Sequence, residues 1–177
     1  MTDFAANILN ELRTVFEALP EEAVEKAARQ VEAHARIFVY GAGRSGLMLR
    51  AFAMRLAQMG RAVYAVGDVT TPAIGAGDLL LLATASGTTR SVCLYAETAL
   101  QAGAELFVIT ATPRSPLTEI WPADVTLTAG SKDRPGGCTA QAMGSLFEQA
   151  LLIFLDAVVQ RMPVDREAMR RRHANLE

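Results

Sequence analysis

The runs IFVY (37–40), LLLLA (79–83) and LFVIT (106–110) are apolar at nearly every position. A strand with one wet face alternates, whereas a strand covered on both faces does not. These runs therefore point to a parallel sheet with helices on either side. Two further runs, AVYAV (62–66) and DVTLT (124–128), bring the set to five. Between them lie helix-like segments at 45–59 and 89–102, a short one near 115–121, and a long one at 140–162. Ahead of the first strand, Phe4, Ile8, Leu12, Val15, Phe16 and Leu19 recur at helical spacing, and a second helix is expected over 21–34, after Pro20. The alternation predicts an α/β fold: a five-stranded parallel sheet of flavodoxin-like order 2-1-3-4-5, flanked by helices, with N-terminal helices and a long C-terminal helix.

The chain has 177 residues, enough for one domain with a real core, and no stretch reads as an interdomain linker. A single domain over 1–177 is expected. Hydrophobic residues make up 51% and the formal net charge is −2, which argues against a nucleic-acid binder with its basic stripe. The one basic cluster, Arg170, Arg171 and Arg172, reads as a solvated helix end. The greasiest run, ALLIFLDAVV, is interrupted by Asp156 and falls well short of the roughly 20 residues that span a bilayer. The N-terminus lacks the pattern of a signal peptide. A cytoplasmic protein with no membrane association is expected, with Cys93 and Cys138 as reduced thiols.

Two loops carry the candidate chemistry. In GAGRSG, Gly41, Gly43 and Gly46 are spaced as G-x-G-x-x-G between a strand and a helix, and Asp68 follows the second strand where a ribose-binding acid would sit. By itself that spacing fits a dinucleotide site. The chain, however, offers no second unit for a dehydrogenase's substrate. The third strand also runs straight into Thr84, Ser86, Thr88 and Thr89 around Gly87, and then into a helix. Hydroxyls and free N–H groups at a helix N-terminus suit a phosphate, and Gly87 is expected to let the backbone approach the ligand closely. The two loops open onto one crevice if the first and third strands are neighbours at the point where the strand order reverses.

The hydroxyl loop resembles the S-x-S-G-x-T signature of the sugar isomerase (SIS) domain, a phosphosugar-binding α/β module. Together GAGRSG, FAMRLAQMG, VYAVGDVTTPAIGAGDLLL, SKD, QAMGSLFEQALLIFLDAVV and the terminal RHANLE resemble the 6-phospho-3-hexuloisomerase family across nearly the whole chain. The resemblance implies a single SIS domain. It also implies interconversion of 3-hexulose 6-phosphate and fructose 6-phosphate in the ribulose monophosphate route of formaldehyde fixation, with no cofactor and a homotetramer. It further implies substrate binding by the glycine turn (Gly43, Arg44 and Ser45) and by a phosphate loop of Thr84, Ala85, Ser86, Gly87, Thr88 and Thr89, with Glu148 as the proton-transferring base. The usual family loop reads Ser-Gly-Ser-Gly-Glu-Thr. Here Thr84 keeps the first hydroxyl, Ala85 adds a methyl group and Thr88 replaces a glutamate.

Moving a carbonyl from C3 to C2 requires a carboxylate base, a donor to the developing oxyanion and a phosphate clamp. Glu148 lies on an apolar line of its helix with Gln141, Leu152 and Leu155, where a carboxylate is partly desolvated. Helix geometry alone favours a salt-bridged interface or core-edge acid, and the resemblance reverses that reading. His173 is a second candidate, either for proton transfer or for opening a cyclic sugar, acting within its own subunit or in a neighbour's crevice. Lys132 and Arg134, in a turn-rich loop, are expected to be solvated, with a place at the mouth of an anion site as the alternative. No His/Cys/Asp cluster has metal-ligand spacing, so no metal is expected. A pentose-phosphate isomerase of the same class and a non-catalytic phosphosugar sensor remain open on these residues.

Overall fold

A computed structural model describes residues 3–130 and 139–175. Lys132, Arg134, Cys138 and the SKD motif lie outside the described residues. In chain order the elements are α1 (Asp3–Glu17), α2 (Ala23–Ala33), β1 (Arg36–Tyr40), α3 (Gly43–Gln58), β2 (Ala62–Ala65), β3 (Asp78–Thr84) and α4 (Arg90–Gln101). They continue with β4 (Glu105–Thr110), α5 (Pro116–Ile120), β5 (Val125–Thr126), α6 (Ser145–Arg161) and α7 (Arg166–Arg171). The sheet runs β2-β1-β3-β4-β5 and every pairing is parallel, as the continuous apolar runs require.

All seven residues of β3, the central strand, are buried. Alternation along the strands divides the core in two. Ile37, Val39, Leu79, Leu81, Phe107 and Ile109 face one side, under α1, α2, α3 and α6. Phe38, Leu80, Leu82, Leu106 and Val108 face the other, against α4 and α5. The long helix α6 sits in the larger half, burying Leu146, Phe147, Leu151, Phe154, Leu155 and Val158. Among the described residues no helix is long and apolar enough to cross a membrane.

Three local expectations are corrected. The fifth strand pairs over Val125–Thr126 alone, because it lies at the sheet edge and has one neighbour; Asp124 and Leu127 merely extend the bonding to β4. The long helix begins at Ser145 rather than 140, because Ala140 donates its N–H to Glu11 and Met143 turns into the left-handed region at φ 59°. Arg172 is more than a solvated helix end. Its guanidinium lies over Gly60 and donates to the Gln58 carbonyl at 3.3 Å, at the C-terminus of α3, where the helix dipole favours a cation.

Candidate active site at three helix N-termini

The C-terminal ends of β1 and β3 are adjacent where the strand order reverses, and a cleft of about 380 Å³ opens there. That size suits a small phosphorylated metabolite. Three long helices begin at its walls: α3 with Ala42, Gly43, Arg44 and Ser45, α4 with Ser86 and Thr89, and α6 with Gly144, Phe147 and Glu148. Their N-cap residues are Ala42, Thr89 and Gly144, and none makes a side-chain cap hydrogen bond. The first N–H groups of a helix have no partner within it, and each N-terminus carries about half a positive charge. Three uncapped N-termini converging on one cleft give it an electrostatic bias that suits an anion.

The glycine turn is built by contact. A Cβ on Gly46 would stand 2.1 Å from the Gly41 carbonyl oxygen, and one on Gly41 would stand 2.9 Å from the Ala83 carbonyl. The two glycines let α3 start hard against β1 and β3. Gly43, at φ 60°, has open space around its missing Cβ and turns its face to the cleft. Asp68 takes no part; it pairs with Arg50 at 2.8 Å and does not line the cleft.

In the hydroxyl loop Thr84, Ala85, Ser86 and Thr89 line the cleft, whereas Gly87 and Thr88 do not. Gly87 has a φ of 67°, and Ser115 packs where a side chain would stand, its Oγ 2.1 Å from an added Cβ. Thr88 supports the loop, with its Oγ1 2.9 Å from Ser86 Oγ and its N–H directed to the same oxygen. The loop's carbonyls are tied back: Ala85 O accepts from Thr112 Oγ1 at 2.9 Å, and Gly87 O accepts from Leu117 N at 3.1 Å. Cys93, behind the loop, is half-buried, and burial pushes its thiol up, away from the reactive thiolate.

Glu148 stands in the first turn of α6, 6% exposed, facing the cleft. Its Oε1 takes no hydrogen bond among the described residues, and its charge partner is the Nε of Arg44. Arg44 is mostly exposed and stands at the mouth of the cleft. The expected line of Glu148 with Gln141 is not a helix face, since Gln141 precedes α6. His173 does not line the cleft. It follows α7, beside the far end of α3, roughly 20 Å along that helix from Ser45 at about 1.5 Å per residue. Met143, Gly144 and Phe147 complete the lining and are not evident as site residues in the sequence; Gly144, directly before an apolar helix, is the one signal of them.

Ser86→Ala is expected to weaken inhibition by inorganic phosphate about 10- to 150-fold, the worth of one charge-assisted hydrogen bond of about 1.5–3 kcal/mol. An unchanged inhibition constant would make the hydroxyl structural only.

A parallel sheet of order 2-1-3-4-5 with an anion cleft at the strand C-termini defines a class, and the SIS domain profile matches residues 31–153. The chain belongs to the SIS domain family. A protein of Mycobacterium gastri named 3-hexulose-6-phosphate isomerase is 48% identical over 161 residues, 88% of this chain and 81% of its own. One of Bacillus subtilis with the same name is 37% identical, covering 99% of this chain and 98% of its own. A crystal structure from Methanococcus jannaschii, described as inferring a molecular function of 3-hexulose-6-phosphate isomerase, superposes with a TM-score of 0.78. It is 31% identical and covers 98% of this chain and 96% of its own.

Proposed function

We infer that the chain is a 3-hexulose-6-phosphate isomerase, interconverting that sugar and fructose 6-phosphate in the ribulose monophosphate route of formaldehyde fixation. The observation that carries this reading is the buried Glu148 carboxylate facing a cleft framed by three uncapped helix N-termini. The 84–89 loop and the α4 N-terminus clamp the phosphate, and Ser45 contacts the sugar. Glu148 removes the proton on C2 and the electron pair forms the C2–C3 double bond. The C3 carbonyl oxygen takes up the negative charge, and Arg44, drawn off Glu148 by the substrate, balances it. A proton passes from O2 to O3, the enediol collapses to a C2 carbonyl, and the protonated Glu148 returns its proton to C3. The reaction is redox-neutral and moves only protons, so the scheme uses no cofactor or metal.

The same reading treats residues 1–177 as one SIS unit and places the enzyme in the cytoplasm as a homotetramer with active sites near subunit interfaces. Phe4 and Leu9 on α1 and Leu152 and Ile153 on α6 are large exposed apolar side chains on two helices that pack together, which favours their burial against a second copy. His173, remote from its own cleft, serves a neighbour's cleft, where it helps open the sugar ring. Sedimentation of the active enzyme as a tetramer supports this assembly, and a stable, active monomer contradicts it.

The substrate is tested by offering the protein 3-hexulose 6-phosphate and arabinose 5-phosphate in parallel. Turnover of the hexulose to fructose 6-phosphate, with little on the pentose, is expected. Preference for the pentose overturns the assignment, and inhibition by both sugars without turnover of either would mark a sensor.

A further inference from the structure

Glu11, on α1, faces the segment that leads into α6. Its Oε2 accepts from Thr139 Oγ1 at 2.9 Å and from Gln141 Nε2 at 2.8 Å, and its Oε1 accepts from the Ala140 N–H at 2.7 Å. Gln141 passes the connection on, its Oε1 accepting from Gln149 Nε2 at 2.8 Å, next to Glu148. One carboxylate thus holds three consecutive residues and, through one of them, the first turns of α6.

We propose that Glu11 is a positioning residue for the isomerisation, fixing from α1 the 139–144 turn that sets the Glu148 carboxylate in the cleft. The proposal rests on the reading of Glu148 as the base. α1 is a firm anchor, because Leu12 and Val15, on either side of the next turn, are buried against the α6 half of the core. The turn's own hydrogen bonds are short-range: the Gln141 N–H donates to Thr139 Oγ1 at 3.0 Å and Ser145 Oγ donates to the Ala142 carbonyl at 2.9 Å, and neither ties the turn to an element other than α6 itself. Gly144 caps α6 without a side chain, Met143 occupies the left-handed region, and both line the cleft. A non-glycine residue at positive φ persists only where its surroundings hold it there. Glu11 supplies that hold. Burial raises the Glu11 carboxyl, but the donors from Ala140, Gln141 and Thr139 outweigh burial and leave it below its ordinary value, so it is ionised at neutral pH. A glutamine in its place would keep one oxygen and turn an NH₂ group toward one of the donors.

Glu11→Gln, Gln141→Leu and the double variant test this, with kcat, KM and phosphate inhibition measured for each folded protein. Since displacement of a catalytic group by about 1 Å can cost up to about 100-fold, kcat is expected to fall about tenfold in either single variant. KM and the phosphate inhibition constant should stay within about twofold, and the double variant should be no worse than the lower single variant. If Glu11→Gln does not fold, Gln141→Leu, altered at a partly exposed site, carries the test. Full kcat in a folded single variant overturns the proposal, as does a loss shared equally by kcat and phosphate binding, or losses that multiply in the double variant. Failure of the base assignment is separable. An active Glu148→Gln enzyme defeats that reading whatever Glu11 does, whereas an inactive Glu148→Gln beside a fully active Glu11→Gln defeats only the positioning role.

Discussion

Glu148→Gln is expected to lose about 10²- to 10⁴-fold in turnover, equivalent to about 2.7–5.5 kcal/mol of barrier, while still binding substrate. The amide keeps the size of the carboxylate and can still meet Arg44 through its oxygen, but it cannot take a proton. The proposed phosphate clamp is the 84–89 loop on the α4 side of the cleft, so phosphate inhibition should survive. Folding should survive as well, because the substitution removes a buried charge rather than introducing one. Steady-state kinetics with a phosphate inhibition series checks this. Turnover within threefold of the parent, as an order-of-magnitude bound of about 0.7 kcal/mol, would place the base elsewhere.

The second large effect is on folding. Gly46→Ala places a methyl group 2.1 Å from the backbone oxygen of Gly41, a contact no side-chain rotation relieves. Separating α3 from the ends of β1 and β3 is expected to cost about 3 kcal/mol or more, at the upper end of overpacking penalties. Gly43→Ala, three residues earlier with open space around it, should cost only about 1 kcal/mol for its left-handed backbone. Denaturant unfolding of the two variants tests the contrast. Equal losses would show that the turn's conformation, and not the close approach of helix to sheet, demands glycine.

The parallel sheet is legible in the sequence because burial on both faces removes alternation, and that signature needs no knowledge of partners. Four of the five strands begin and end within one residue of where the apolar runs place them. The fifth does not: an edge strand's length is set by how much of its one neighbour is free, which DVTLT does not encode. The start of α6 fails for a related reason. Residues 140–144 are compositionally fit for a helix, but Glu11, some 130 positions away, takes the Ala140 N–H.

In the site, the glycine turn and the hydroxyl loop are readable because each pairs a residue type with a strand end and a helix start. Glu148 is singled out by the family resemblance instead, its helix being expected to start at 140 rather than at Ser145. Gly87 shows the limit of such reading. Its need for glycine was evident, but the group that imposes it, Ser115, comes from a loop no local pattern connects to it. The α6 contribution of Met143, Gly144 and Phe147 leaves no signal beyond Gly144 before an apolar helix, since only the folded chain brings a third helix N-terminus to the first two.

The central claim, proton transfer between C2 and C3 by Glu148, is tested most directly by holding the protein with fructose 6-phosphate in deuterated water and locating the label by NMR. Over many turnovers the protonated Glu148 exchanges with solvent, so deuterium is expected to accumulate at C3 of the recovered fructose 6-phosphate, and to be nearly absent with Glu148→Gln. Label at C1 in place of C3, or isomerisation that leaves C3 unlabelled, would contradict the account.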